Sequence, residues 1–298
     1  VKDFLQYLAS GTALGAVYAL VAFGFVVVYR STGVLNLAQG AFVVLGAFLT
    51  YQFGRSSHVP FFVGMMFAML LMALVGFAIE RLVLRRLVAR PVLAVIMVTL
   101  GILYVIEPAV TTIWGFDLHM LGDPWGIAAI RLGSISLQAI DLWSIALATL
   151  ILVAFFAFFR YSRLGIAMRA TASDPEAAVA NGVSASLVAG IAWALAGIVG
   201  VVSGVMLTAG PQGVSVDVGQ IAFRAFPGMI LGGADSTVGA AVGGLLIGLS
   251  EVLAAGYVEP RAPWLGANFH LVMPYVVMVI ILLVRPQGLF GRRSVERV

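Results

Sequence analysis

Residues Phe4–Tyr29, FLQYLASGTALGAVYALVAFGFVVVY, run for 26 positions without a charged side chain. A helix rises about 1.5 Å per residue, so ~20 such residues already cross a ~30 Å hydrocarbon core. This stretch therefore reads as a membrane-spanning helix. It is too long for the core of a cleavable signal peptide and has no basic leader, so it is expected to stay in the protein. Seven further apolar runs follow at 34–53, 61–79, 92–114, 142–159, 187–209, 237–256 and 271–284, the last short but extended by Phe269. The 298 residues are 62% hydrophobic and 10% charged, with a mean hydropathy of +1.09. A soluble domain carries roughly 25% charged residues. That difference excludes a soluble enzyme and a disordered chain.

The residue types that are missing narrow the chemistry. There is no cysteine, and Lys2 is the only lysine. A phosphate-binding P-loop needs a lysine after its glycine-rich turn, so the chain cannot drive itself with ATP by that route. His58, His119 and His270 stand far apart, and no His-Glu-x-x-His pair or Gly-x-Ser-x-Gly elbow occurs. No metal site, bound cofactor or catalytic group is expected. The net charge of +4 comes from arginines placed between apolar runs, which argues for topology signals and against nucleic acid as a partner.

Those arginines orient the chain. Arg30, Arg81, Arg85, Arg86, Arg90, Arg160, Arg163, Arg169, Arg285, Arg292, Arg293 and Arg297 follow odd-numbered runs or the last run, twelve on one side. Lys2, Arg55, Arg131 and Arg261, four in all, fall on the other. The positive-inside bias puts the first group in the cytoplasm, the N-terminus outside and the C-terminal tail inside. Eight crossings would return the chain to the outside, so a further passage is required. The stretch Val214–Gly233, VSVDVGQIAFRAFPGMILGG, is apolar but interrupted by Asp217, Arg224, Pro227 and glycines. It reads as a broken crossing or a re-entrant segment held inside protein, where interrupted backbone finds partners.

Glycines recur four residues apart at Gly200–Gly204, Gly228–Gly232, Gly239–Gly243 and Gly244–Gly248. Such spacing lets helix backbones approach closely, either as packing within one subunit or around a pathway that opens and closes.

The longest polar interval is Arg160–Ser186, RYSRLGIAMRATASDPEAAVANGVSAS, on the side assigned to the cytoplasm. Ser173 or Asp174 can cap a helix there, Pro175 suits its first turn and Glu176 complements the N-terminal dipole. Gly182 ends it. A helix of about two turns is not stable alone in water and needs a surface to dock against; it can also be read as an ordinary connection between spans.

Glu176-Ala177-Ala178 followed by Gly182 resembles the EAA-x-x-x-G signature of ABC-importer permeases. The wider sequence is similar to the branch that transports branched-chain amino acids with a binding protein. Four ordered stretches carry the likeness: Gly33–Gly40 leading to Leu45-Gly46-Ala47, Arg169–Gly182, Ala225-Phe226-Pro227 through Gly233, and Arg285–Gly291. The resemblance implies a coupling helix on which a separate ATPase subunit docks, with Arg169, Asp174, Glu176, Ala177, Ala178 and Gly182 at the contact. It further implies two ATPase subunits that use ATP, a second permease subunit (the same or homologous), and a periplasmic or extracellular substrate-binding protein. The setting it implies is a bacterial inner membrane. The chain departs from the pattern where the later isoleucine and Leu-Pro of the full signature are not found, and where Gln39 replaces a histidine common in the family.

Ionisable groups at membrane depth cost at least ~2.5–3.5 kcal/mol each on insertion scales, so each needs a reason. Glu107, beside Pro108, stands roughly 24 Å along its span, near the outer interface, and Glu251 holds a similar late position. Arg224 either pairs internally with Asp217, Glu251 or Glu107, or faces a translocation cavity and meets a substrate carboxylate. Asn36 and Gln39 either bond between helices or line a pathway. Tyr51, Trp143 and Trp264 suit interfacial anchors.

The expected fold is an all-α integral membrane protein. It has about eight transmembrane helices, one broken or re-entrant segment and a cytoplasmic coupling helix, in one permease domain over 1–298. The expected function is inward movement of branched-chain amino acids or similar small solutes by alternating access. Urea, amides or small aromatic acids are alternative substrates, and a proton-coupled carrier using Glu107 or Glu251 is the alternative mechanism.

Overall fold

A computed structural model describes residues 2–57, 59–87, 90–122, 124–126, 129–132, 135–209 and 212–291. His58 and the tail arginines Arg292, Arg293 and Arg297 lie outside the described residues. Twelve α-helices occur among those described: α1 (Lys2–Thr32), α2 (Gln39–Tyr51), α3 (Phe61–Leu82), α4 (Val92–Trp114), α5 (Ala139–Tyr161), α6 (Arg163–Ser173), α7 (Pro175–Ala180), α8 (Ala185–Thr208), α9 (Val218–Phe223), α10 (Phe226–Gly232), α11 (Thr237–Leu253) and α12 (Met273–Val284). Among the described residues, six helical segments are long and apolar enough to cross a membrane: Asp3–Thr32, Phe61–Leu87, Val92–Trp114, Ala139–Tyr161, Ala185–Thr208 and Thr237–Val258.

Two more of the eight expected runs hold shorter helices. The run at 34–53 is helical only from Gln39, through the 13 residues of α2 and on into a π-helical turn at Gln52–Ser56, and that at 271–284 holds the 12 residues of α12. The reason at the first is local. Gly33 takes φ +70°, and the Asn36 side-chain oxygen accepts from the Ala38 amide at 3.1 Å. An Asx turn of this kind competes with helix, so Val34–Ala38 stay outside it. The chain is mostly helical, as expected, with one short antiparallel strand pair among the described residues, β1 (Ala129–Leu132) with β2 (Ile135–Gln138), pairing Ala129 with Gln138 and Leu132 with Ile135. The expected broken stretch is interrupted, with α9 and α10 separated at Arg224-Ala225.

The chain forms two compact units, and both α1 and α5 contribute to each. The first comprises Val1–Val26, 127–149 and Arg224–Val298. Its interior is an interlock of glycines. A methyl group on Gly15 would lie 2.8 Å from the Leu245 carbonyl oxygen, one on Gly228 would lie 2.9 Å from the Gly244 Cα, and Gly232 and Gly239 face each other backbone to backbone. Gly244 and Gly248 press on Ala19 and Gly15 of α1. The tail closes α10: the Leu289 and Phe290 amides donate to the Leu231 and Gly232 carbonyls at 2.8 and 3.0 Å, satisfying groups that a helix end otherwise leaves bare.

The second unit comprises 27–126 and 150–223. Helix α8 is its axis and packs on α2 and α3. Here too glycines set the approach: Gly200 meets the Phe42 backbone, Gly204 meets Val43, and Gly76 and Gly197 meet backbone of the facing helix. Phe42 stacks edge-on against Trp193 with ring centroids 5.8 Å apart. The four-residue glycine spacing thus serves packing within one subunit, where small residues let backbones touch.

Candidate functional site

The polar interval between α5 and α8 folds as two short helices, because serine and aspartate side chains cap every start. The Ser162 hydroxyl accepts from Gly165 N–H at 2.9 Å, the Asp174 carboxylate from Ala177 N–H at 2.9 Å, and the Ser184 hydroxyl from Leu187 N–H at 3.3 Å. Each takes up an amide that has no partner in the first turn. Of the two candidates for the cap of α7, Asp174 is the one used; Ser173 instead donates back to the Arg169 carbonyl at 3.0 Å. Helix α6 over Arg163–Ser173 was not expected from the sequence, although Ser162 before a run with Leu164, Ile166 and Met168 is a capping signal.

The other end of α7 is closed just as specifically. Gly182 N–H donates to the Val179 carbonyl and Val183 N–H to the Ala178 carbonyl, at 2.9 and 3.0 Å. This paired pattern requires a left-handed residue at its turning point, and Gly182 sits there with φ +83°. Six residues, Pro175–Ala180, are thereby held helical between two caps. Ala178 turns inward, 5% exposed, while Glu176, Ala177, Ala180 and Asn181 face outward. Val179 is 54% exposed on the same short helix, an apolar contact the sequence reading passed over. Arg169 donates to the Arg160 carbonyl at 3.3 Å and stiffens the bend before α6.

Within the first unit, Arg224 Nη1 lies 3.0 Å from Glu251 Oε1, and the Tyr18 hydroxyl donates to the other oxygen, Oε2, at 2.8 Å. Of the three carboxylates named as partners for Arg224, Glu251 is the one it meets. Both oxygens of a 4% exposed glutamate are occupied, which meets the requirement that a charge at membrane depth be paired. Tyr18 was not singled out in the sequence; its hydroxyl in the middle of an otherwise apolar run is the signal that could have marked it.

In the second unit, Asn36 and Gln39 are fully buried and bonded to each other, Asn36 Nδ2 to Gln39 Oε1 at 3.2 Å. The Gln39 amide then donates to the Ala196 carbonyl of α8 at 3.2 Å. Thr99 completes the group, accepting from Leu37 N–H at 3.3 Å. These amides tie α2 to its neighbours. Glu107 is half-buried, its Oε1 against the backbone of Gly219, where an added methyl would come within 3.1 Å. Elsewhere His119 bonds the Trp114 carbonyl at 2.8 Å. His270 donates through its backbone N–H to Glu259 at 3.0 Å and lies 2.8 Å from it through Nδ1, which holds the Glu259 carboxyl below the usual glutamate range.

Six long apolar helices among the described residues, interlocked glycines and a buried Arg224–Glu251 pair are the features of a multi-pass membrane protein. The sequence profile of the branched-chain amino acid transport system permease component matches residues 7–282, and the chain belongs to that family. It is 27% identical to the high-affinity branched-chain amino acid transport system permease protein LivH of Salmonella typhimurium, over 99% of this chain and 98% of that one. The Escherichia coli protein of the same name gives the same identity and coverage. BraD of Pseudomonas aeruginosa, a permease protein of the same description, is 25% identical over 100% and 99% of the two chains. Among solved structures, PsaBC from Streptococcus pneumoniae in complex with Fab aligns with a TM-score of 0.52 at 14% identity, covering 96% of each chain. At that identity the likeness concerns the fold.

Proposed function

We propose that this chain is the membrane-spanning gate of an ABC importer in a bacterial inner membrane. It carries branched-chain amino acids inward and is driven through α7. Two ATPase subunits dock at Arg169–Gly182, a second permease subunit completes the passage, and an external binding protein delivers the substrate. ATP-driven closure of the ATPases moves α7, and through its caps moves α6 and α8, so that access alternates between the two sides. The N-terminus is outside and the tail is cytoplasmic, a reading the arginine bias supports. The observation that carries this reading is α7 itself. It is a helix too short to persist alone, capped at both ends and presenting Glu176, Ala177 and Val179 outward. The tight ion pair and tyrosine bond on Glu251 count against its service as a proton relay.

The test is leucine uptake into vesicles holding this chain, its ATPases and its binding protein. Uptake is expected to need ATP and both partners and to survive a protonophore. Glu176→Lys and Gly182→Trp are each expected to lower it by about tenfold or more, a loss of ~1.4 kcal/mol in coupling, with membrane insertion unchanged. Uptake by the chain alone, abolished by the protonophore with ATP present, would contradict the proposal.

A further inference from the structure

Within the second unit a cavity of about 580 Å³ opens where α3 gives way to the single turn Leu84–Leu87 and α8 begins. Glu80, Arg85, Arg90, Ser186, Val92 and Trp193 are among the residues that line it. Glu80 is 4% exposed, and among the described residues its Oε2 has no hydrogen-bond partner. A buried carboxylate oxygen left bare is costly, so it calls for a donor from outside the chain. Arg85 and Arg90 are exposed at the same opening. Leu82, Val83, Val92 and Leu93 are exposed at the same ends of α3 and α4, an apolar surface suited to acyl chains.

The occupant must therefore bring a cation with N–H donors for Glu80, an anion for the arginines and an apolar extension. A simple anion would meet the Glu80 carboxylate, and a simple cation would meet two guanidinium groups. A free amino acid carries both charges but fills only part of a cavity in the size range of drug-sized ligands. We propose that the cavity holds the head group of a phospholipid with a primary ammonium, of the phosphatidylethanolamine type. The ammonium sits on Glu80, the phosphate meets Arg85 and Arg90, and the acyl chains run out over Leu82 and Leu93. Arginine suits this role because its planar fork binds phosphate oxygens in pairs. Ser186 lies four residues beyond Gly182, so the bound lipid braces the junction between α7 and α8.

The full chain, purified in mixed micelles, is offered dioleoyl phosphatidylethanolamine, phosphatidylcholine and phosphatidylglycerol in equal amounts, and retained lipid is counted by native mass spectrometry. Retention of the ethanolamine lipid is expected to exceed that of the choline lipid, whose ammonium has no N–H, by about tenfold, as one charge-assisted hydrogen bond would give. Glu80→Gln keeps the size of the side chain and is expected to erase that preference while phosphate-dependent retention persists. The exposed-site variant Arg85→Ala with Arg90→Ala is expected to lose all three lipids. Equal retention of ethanolamine and choline lipids by the unaltered chain overturns the proposal. So does displacement of the lipid by millimolar leucine, which would assign the cavity to a free amino acid, or by millimolar inorganic phosphate, which would make it a plain anion site.

Discussion

Glu251→Ala is expected to lower the stability of the detergent-solubilised protein by about 3 kcal/mol, because it strands Arg224 without its counter-charge. The estimate sits at the lower end of the range for breaking a buried pair, since the Arg224 side chain is 22% exposed and can find some water. Tyr18→Phe removes only the donor to Glu251 Oε2 and should cost about 1–2 kcal/mol, the penalty of one buried acceptor left bare. Replacing both partners, Arg224→Met with Glu251→Leu, should recover most of what Glu251→Ala loses, because the desolvated charges leave together. The temperature of half-maximal aggregation, followed by size exclusion, ranks the variants. If the single and double replacements behaved alike and both matched the parent, the pair would have no structural role, and Arg224 would be released for contact with substrate.

Gly232→Val is expected to have an effect of comparable size through packing alone. Gly232 and Gly239 meet backbone to backbone, and a Cβ on either would enter the other's carbonyl. Neither neighbour is the end of a flexible side chain, so the backbones must separate. Overpacking of this kind costs about 3 kcal/mol at the upper end of its usual range. Gly101→Val is the control: a Cβ there meets nothing within 4 Å, and because valine is a slightly better helix former than glycine, stability should change by well under 1 kcal/mol and with no loss. Equal destabilisation by the two variants would mean that glycine is needed for chain flexibility rather than close approach.

How much of this was legible in the sequence depended on whether local chemistry or tertiary contact decided each feature. The six long spans were legible because more than ~18 consecutive apolar residues admit few other structures. The caps of α7 were legible for the same local reason: Asp174, Pro175 and Gly182 each have one helical role at their positions. In the run at 34–53 the helix starts later than the apolar pattern does, because that pattern continues through Val34–Ala38 while the Asn36 side chain diverts the backbone there. The hairpin at Ala129–Gln138 was passed over because four-residue strands leave too short an alternation to stand out between long apolar runs. For Arg224 the sequence offered three carboxylates of equal standing. Only the docking of α11 on α1, set by glycines at Gly15, Gly244 and Gly248, brings Glu251 and Tyr18 together. The cavity beside Glu80 was out of reach for the same reason: its lining comes from four separated stretches of chain.

Force is proposed to enter this gate through α7. Because the chain has no cysteine, Val179→Cys gives it a single thiol at the exposed apolar position of that helix. A short thiol-reactive cross-linker is expected to join this cysteine to the ATPase subunit in membranes. A membrane-impermeant maleimide added outside intact cells is expected to leave it unlabelled. Labelling from the outside, with no adduct to the ATPase, would place α7 on the outer face of the membrane, where no ATPase could drive it.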